Sequence, residues 1–361
     1  MTSKERVLAS INFSQPDRVP VDFSANRWVL EKLYKATGIN DYSQLLRHYN
    51  ADIVDLRGIV DPVYKGPVPY IDVQEDGIRQ NFWGWRTRIC ETATGPEEMY
   101  AEFILQNADL TQVENHQWPQ VDWFDFADFS ERLKPWSDFA IMASGASIWQ
   151  HPSFLRSLDQ LLMDVALQDE AGIYVIDKFV EFYTNYFDKM FSSAPNQIQI
   201  LRIADDIGMQ DRLIFSPSQF NSFLAPRLRN IVDMAHSHNV KVMFHSCGAV
   251  EPLINNIIDI GIDILDPLQI TASGMDPDIL KQKYGSRICL HGSIDTQYLL
   301  PNGTPEDIIE NVKKMITILS PDGGFILSPT HILQNDVSVE NIEALYSTAE
   351  KYGSYESANF V

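Results

Sequence analysis

His245 and Cys247 stand one residue apart at the end of an apolar run, Lys241-Val-Met-Phe-His-Ser-Cys-Gly248. In extended backbone, side chains two positions apart share a face, so this imidazole and this thiol can meet one ion. Nitrogen with soft sulfur is a zinc-type donor pair, and Gly248 lets the chain turn away behind it. Alone, the pair also fits a strand end with a hydrogen-bonded histidine and a buried, inert cysteine. A third candidate ligand is His331, which follows the apolar run 324–328 through Pro329 and Thr330 and projects toward the same place. A hydrogen-bonded loop histidine is the alternative there. Asp205 and Asp206 close another apolar run, 198–204, and His291 closes a third, with Ser293 and Asp295 just beyond. These three, Asp205, Asp206 and His291, are the candidate catalytic residues, able to move protons or to orient a metal-bound histidine. For the paired acids, a helix cap or an ion pair is the structural alternative. Tyr64, Trp83 and Trp85 are candidates to wall an aromatic substrate pocket.

Such residues need elements that bring them to one place. Strand candidates end near Ser24, Leu56, Ser144, Asp206, Phe244, Asp266, His291 and Ser328, mostly separated by helical periodicity. About eight alternating units predict an α/β fold of the (β/α)8 TIM barrel type, in which C-terminal strand ends converge on one functional face. A doubly wound open sheet is the runner-up, but no Gly-x-Gly-x-x-Gly follows the first strand. Helix starts are well marked. Ser216-Pro217-x-Gln219 supplies a cap, a first-turn proline and a capping-box partner, and Thr304-Pro305-Glu306-Asp307 supplies a cap, a first-turn proline and first-turn acids before a stripe of Ile308, Ile309, Val312, Met315, Ile316 and Leu319. The rhythm breaks between about 58 and 136, where hairpin character around Glu75-Asp76-Gly77 and a run of aromatics predict an insertion after the second strand. It reads either as a lid over a substrate or as a satellite β-element with its own small core. The whole chain, 1–361, reads as a single barrel domain with this insertion.

Composition excludes several functions. The net charge of -21 disfavours a broad grip on nucleic acid, and no uncharged apolar run reaches the ~18 residues a membrane span needs. No secretory signal core is visible at the N-terminus, and three cysteines, Cys90, Cys247 and Cys289, form no disulfide framework. A cytoplasmic protein is expected, with Cys90 and Cys289 in structural roles.

Several stretches together carry a family resemblance: Ser3-Lys-Glu-Arg-Val-Leu-Ala9 with Pro16-Asp-Arg-Val-Pro20, Trp83-Gly84, Ala204-Asp-Asp-Ile-Gly-Met209, Phe244-His-Ser-Cys-Gly248, His291-Gly-Ser-Ile-Asp295 and Gly323-Gly-Phe-Ile-Leu-Ser-Pro-Thr-His331. In these the chain resembles the uroporphyrinogen decarboxylase superfamily over nearly its whole length, and within it the corrinoid-linked methyltransferases. The resemblance implies a zinc-dependent methyltransferase acting between a small substrate and a corrinoid (cobalamin) cofactor. The Asp-x-His-x-x-Gly signature of corrinoid attachment is absent, so the corrinoid is expected on a partner protein. Zinc methyltransferases of this group pair His-x-Cys with a second cysteine after the last strand; here His331 stands in that region instead. The decarboxylase branch resembles the chain at His331, but the arginine-rich substrate motif is missing where Phe23-Ser-Ala-Asn-Arg27 stands. The aromatic candidates tilt the expected substrate toward a methoxylated aromatic. Two alternatives remain: a metal-independent decarboxylase using His331 and the Asp205/Asp206 pair, and a catalytically silent binding subunit.

Overall fold

The computed structural model describes residues 1–67, 71–73, 77–92 and 95–355. Among them a parallel sheet runs in strict chain order: β1 (Ile53–Asp55), β2 (Ala140–Ala146), β3 (Ile200–Ala204), β4 (Lys241–His245), β5 (Ile264–Leu268), β6 (Cys289–Ile294) and β7 (Phe325–Pro329). Each strand pairs with the next in sequence. The sheet curls so that one face becomes the inside of a barrel.

That interior has two layers, set by the period of two along a strand. The lower layer is apolar. Ile53, Met142, Ile200, Met243, Ile264, Cys289 and Ile326 form one buried cluster with Val7 and Ile11 of helix α1 (Ser3–Ile11), which plugs the floor. Two residues further along each strand stand Asp55, Ser144, Arg202, His245, Asp266, His291 and Ser328. Six of them, all but Ser144, line one cavity of about 60 Å³ at the C-terminal ends, together with Asp22. The chemistry therefore begins where the apolar fill stops.

The strand expected over 18–24 is the one departure in the barrel. Proline at position 20 removes a ladder donor, and no regular strand forms. The segment nevertheless closes the ring. Asp22 N donates to Leu327 O (2.9 Å) and Leu327 N to Pro20 O (2.9 Å) on one side, while Asp52 N donates to Val21 O (2.7 Å) on the other.

Between β1 and β2 the chain makes a long excursion. It contains a four-stranded antiparallel sheet of Ile71–Val73, Arg79–Asn81, Arg86–Thr92 and Gly95–Glu102. The turn expected at Glu75 and Asp76 lies outside the described residues, but the strands flanking it pair with Val73 opposite Arg79. Helix α2 (Gln150–Arg156) follows β2, and helix α3 (Glu170–Ser193) carries Phe179, Phe182, Tyr183, Tyr186 and Phe187 at three- and four-residue spacing. This aromatic stripe meets the insertion: the rings of Trp83 and Phe179 stack at 4.1 Å, and Phe124 packs on Tyr186 at 5.0 Å. The capping box at Thr304 and Asp307 opens helix α4 (Pro305–Leu319), which buries Ile308, Val312, Met315, Ile316 and Leu319 as the periodicity predicts. Ile309 is only half-buried. Among the described residues no helix is long and apolar enough to cross a membrane.

Because α1 seals the barrel floor, truncating its contact should weaken the whole unit. Ile11→Ala, at a side chain only 2% exposed, is expected to cost about 2–5 kcal/mol. A denaturant midpoint unchanged from wild type would show that the plug is not part of the cooperative core.

Candidate functional site

β4 ends at His245, and the loop beyond it delivers Cys247 to the same side. Asp206, from the loop after β3, joins them: donor atoms of Asp206, His245 and Cys247 all lie within 4.8 Å of one another. His245 Nε2 is 3.7 Å from Cys247 Sγ and 3.9 Å from Asp206 Oδ1. Asp206 Oδ1 also accepts from Cys247 N at 2.8 Å, which fixes the acid over the thiol. Two loops must approach closely for this. Asp205 N donates to His245 O (2.9 Å), Ile207 N to Ser246 Oγ (3.0 Å) and Ala249 N to Met209 O (2.7 Å). Gly248 permits it: φ is +95°, and a Cβ there would lie 2.6 Å from the carbonyl carbon of Gly208. Burial, with Asp206 and Asp266 nearby, pushes the Cys247 thiol up to about 12. The thiol therefore holds its proton until a cation competes for the sulfur.

The other ring nitrogen of His245 faces the buried Asp266, with Nδ1 2.7 Å from Oδ2. Arg202 Nη2 also lies 2.7 Å from that Nδ1. One nitrogen cannot donate to a carboxylate and accept from a guanidinium at once; the anion takes the N–H, and Arg202 is held instead by Nε on the same Oδ2 at 2.9 Å. This tautomer leaves the Nε2 lone pair pointing at Cys247 and Asp206. A carboxylate behind a ligand histidine is the usual outer partner of a metal site. On its far oxygen Asp266 receives His291 Nδ1 at 2.8 Å, and His291 Nε2 reaches Asp22 Oδ2 at 3.1 Å. Burial opposes the charge on His291, but Asp266 and Asp22 raise it to about 9, so it stands as an imidazolium. Burial alone would raise Asp266; Arg202, His245 and His291 hold it well below the carboxylate range.

Measured against the sequence, Asp206, His245 and Cys247 come together. His331 lines the same cavity and its ring centroid is 6.5 Å from that of His245, but it sits exposed at the rim, outside the close group. Asp205 does not face the mouth. It is 0% exposed and accepts from Ser147 Oγ (2.6 Å) and from the backbone N–H groups of Ile148, Trp149 and Gln150 (3.0, 2.8 and 2.9 Å) at the start of α2. These contacts are those of an anchor for the helix, the structural alternative raised for it. His291, likewise, has both ring nitrogens engaged by carboxylates and stands as a buried charge.

A second cavity, of about 200 Å³, adjoins the first and is walled by Trp83, Trp85, Phe82, Phe124 and the α3 aromatics. Tyr64 does not line it; it packs behind Phe82 and Phe124, at 5.6 and 5.4 Å between centroids. Arg57, His151 and Tyr183, absent from the sequence candidates, do line it. Arg202 was missed too, although a charge inside the apolar strand Ile200–Ala204 is itself a signal that this face is not core.

The uroporphyrinogen decarboxylase (URO-D) family profile matches residues 134–352. No curated protein sequence matches the chain. Among solved structures, a methyltransferase from Methanosarcina mazei is 19% identical, with a TM-score of 0.66 over 98% of this chain and 99% of that one. At that identity the likeness is one of fold. D-psicose 3-epimerase from Clostridium cellulolyticum H10, solved with D-tagatose, is 8% identical, with a TM-score of 0.38 over 66% of this chain and 84% of that one.

Two outcomes follow from the buried charges. His291 is raised from 6.5 to about 9 on folding, so its stabilisation is complete below pH 6.5 and disappears as pH rises through 9. A loss on the order of 3 kcal/mol across that window is expected in wild type and not in His291→Gln; parallel pH–stability curves would refute the ion pair. Asp266→Asn strands Arg202 without its counter-ion, leaves His291 with Asp22 alone, and is expected to cost about 3–5 kcal/mol, read from the chemical denaturation midpoint.

Proposed function

Since this chain belongs to the uroporphyrinogen decarboxylase family, we propose that it is a zinc-dependent methyltransferase, moving a methyl group between a small substrate and a corrinoid carried on a partner protein. The observation that carries the reading is the convergence of Asp206, His245 and Cys247 at the barrel mouth. Nitrogen, thiol and carboxylate on three sides, with a carboxylate behind the histidine, are a donor set that fits zinc and leaves a side open for substrate. His331 at the rim is placed to close that side or to touch what enters it. Bound zinc would supply Lewis acidity to a substrate oxygen or sulfur. The chain's own residues do the rest. Asp266 holds the His245 tautomer, Asp206 orients the Cys247 backbone, and Trp83 and Trp85 offer apolar faces to a ring. The wall they form favours a methoxylated aromatic as methyl donor. The fold shared over nearly full length with the methanosarcinal methyltransferase supports the same reading. The decarboxylase alternative loses ground here, because Asp205, one of the two acids it would use for proton transfer, is sealed by its partners.

Elemental analysis of untagged protein tests the proposal. About one zinc per chain is expected, lost in His245→Ala and in Cys247→Ala, and weakened in Asp206→Asn. In weakly buffered solution near neutral pH, zinc uptake should release about one proton in wild type and none in Cys247→Ala, since the thiol must ionise to ligate. Zinc-free protein, or zinc retained in both alanine variants, would overturn the metal reading. Unchanged demethylation of a methoxylated aromatic in both variants would do the same for its role in catalysis.

A further inference from the structure

The aromatic chamber has a polar end, and that end adjoins the cavity that His245 lines. Arg57, just beyond β1, lines both cavities and so stands at their junction. Its stem passes over Gly145, where a Cβ would lie 4.0 Å from Arg57 Cδ. Its backbone N donates to Asp55 Oδ1 at 3.0 Å, but among the described residues its guanidinium has no hydrogen-bond or ion-pair partner. The other arginine of these cavities, Arg202, is paired with Asp266. Asp61 also lines the chamber; it accepts from Gly58 N at 2.9 Å and makes no ion pair with Arg57.

His151 faces the same space from α2. Its Nδ1 meets Tyr183 Oη at 2.5 Å, while Nε2 has no partner among the described residues. Burial, with the charge of Arg57 nearby, pushes its pKa down to about 3, so the ring is neutral and Tyr183 can donate to Nδ1, leaving an N–H on Nε2. Trp85, whose ring lies 4.6 Å from that of His151, has a buried Nε1–H that makes no hydrogen bond. A largely aromatic chamber, with Asp61, Asn81 and Ser144 also in its lining, thus presents an unpaired guanidinium and an imidazole with one nitrogen unmatched. The buried Trp85 Nε1–H lacks an acceptor, which is unfavourable unless a ligand supplies one, while Arg57 is exposed and reaches the chamber from its mouth.

We infer that the chamber takes a planar aromatic ring bearing an oxyanion, carboxylate or phenolate, and that Arg57 is the residue that selects the charge. A cavity of about 200 Å³ suits one substituted ring, given that a cavity of ~150 Å³ accepts benzene. Trp83, Trp85, Phe182 and Phe187 supply the faces. Arg57 offers the oxyanion a charge-assisted, forked pair of hydrogen bonds, which an ammonium would not reproduce. His151 Nε2 supplies a second donor. As a statement of substrate class this rests on the methyltransferase reading, but the binding itself needs neither zinc nor corrinoid.

The test is calorimetric titration of the full-length, metal-free protein with benzoate, 4-nitrophenol above and below its ionisation, and neutral anisole, with quenching of tryptophan fluorescence as a second readout. Both anions are expected to bind at least about tenfold more tightly than anisole, and Arg57→Gln to cost them about 10- to 100-fold while anisole stays within about twofold. Arg57→Lys should recover part of the loss, and circular dichroism confirms that each variant is folded. Benzoate binding without nitrophenolate, or the reverse, identifies which oxyanion the site takes. Anisole binding as tightly as the anions, anion affinity indifferent to Arg57→Gln, or no binding of any ring would overturn the inference. Because zinc is absent throughout, a failed metal assay leaves this result standing, and a failed titration leaves the metal assay standing.

Discussion

Asp266 is met by Arg202 from β3, His245 from β4 and His291 from β6, so one carboxylate on β5 ties both neighbouring strands and the next one out at the height where the barrel interior turns polar. Removing a carboxylate from water costs several kcal/mol, and an unpaired cation beside it costs as much again. The arrangement is tolerable only because the charges satisfy one another, with Asp22 completing the far side of His291. That mutual dependence sets the orientation of His245. Its Nδ1 is engaged below, so its Nε2 must face up into the mouth, where Asp206 and Cys247 wait. The candidate metal cluster is the exposed tip of a buried network, and its precision derives from the network rather than from the loops that carry the other two donors.

Those loops solve a different problem. A loop after β3 and a loop after β4 must come within backbone contact of each other, and two glycines, Gly208 and Gly248, make room for it: a Cβ on either would lie within 2.7 Å of the opposite backbone. Once they touch, Asp205 and Asp206 diverge. Asp205 turns down to cap α2 through three backbone N–H groups, and Asp206 turns out to the Cys247 N–H. Adjacent identical residues thus take opposite roles, one fixing the helix that carries His151 and the other joining the candidate metal cluster.

This divergence marks what a sequence can and cannot disclose. The barrel was legible because apolar strands recur with helical stretches between them, and the His245-x-Cys247 pair because extended backbone puts both on one side. The caps at Ser216 and Thr304 were legible from local chemistry alone. What was not legible was anything decided by which way a side chain turns: Asp205 against Asp206, and Tyr64 behind the wall while Trp85 stands in it. The strand expected near residue 20 pairs at its edges without becoming regular, because proline withholds a donor. Arg57 and His151 carried no local signal, since an arginine after one strand and a histidine in one helix become neighbours only through the packing of β1 against β2. One signal was available and unused. Two places after each apolar filler of the barrel stands a polar residue, and that offset, from Ile200 to Arg202 and from Met243 to His245, picks out the lining of the mouth directly.

Charge offers a further discrimination between possible ligand sets. The chain as a whole carries -21, yet the mouth is close to balanced, with Arg57, Arg202 and His291 set against Asp22, Asp55 and Asp266. A divalent ion added to a balanced, partly buried site must bring its own compensation or bear a large desolvation cost. Asp206 with an ionised Cys247 supplies two negative charges and leaves the loaded cluster neutral. Cys247 with two neutral histidines, His245 and His331, would leave it one charge positive beside Arg202. Electrostatics therefore favours Asp206 over His331 in the inner set, in agreement with the distances. It leaves His331 at the rim, where a neutral imidazole can hydrogen-bond what enters without adding charge to the metal.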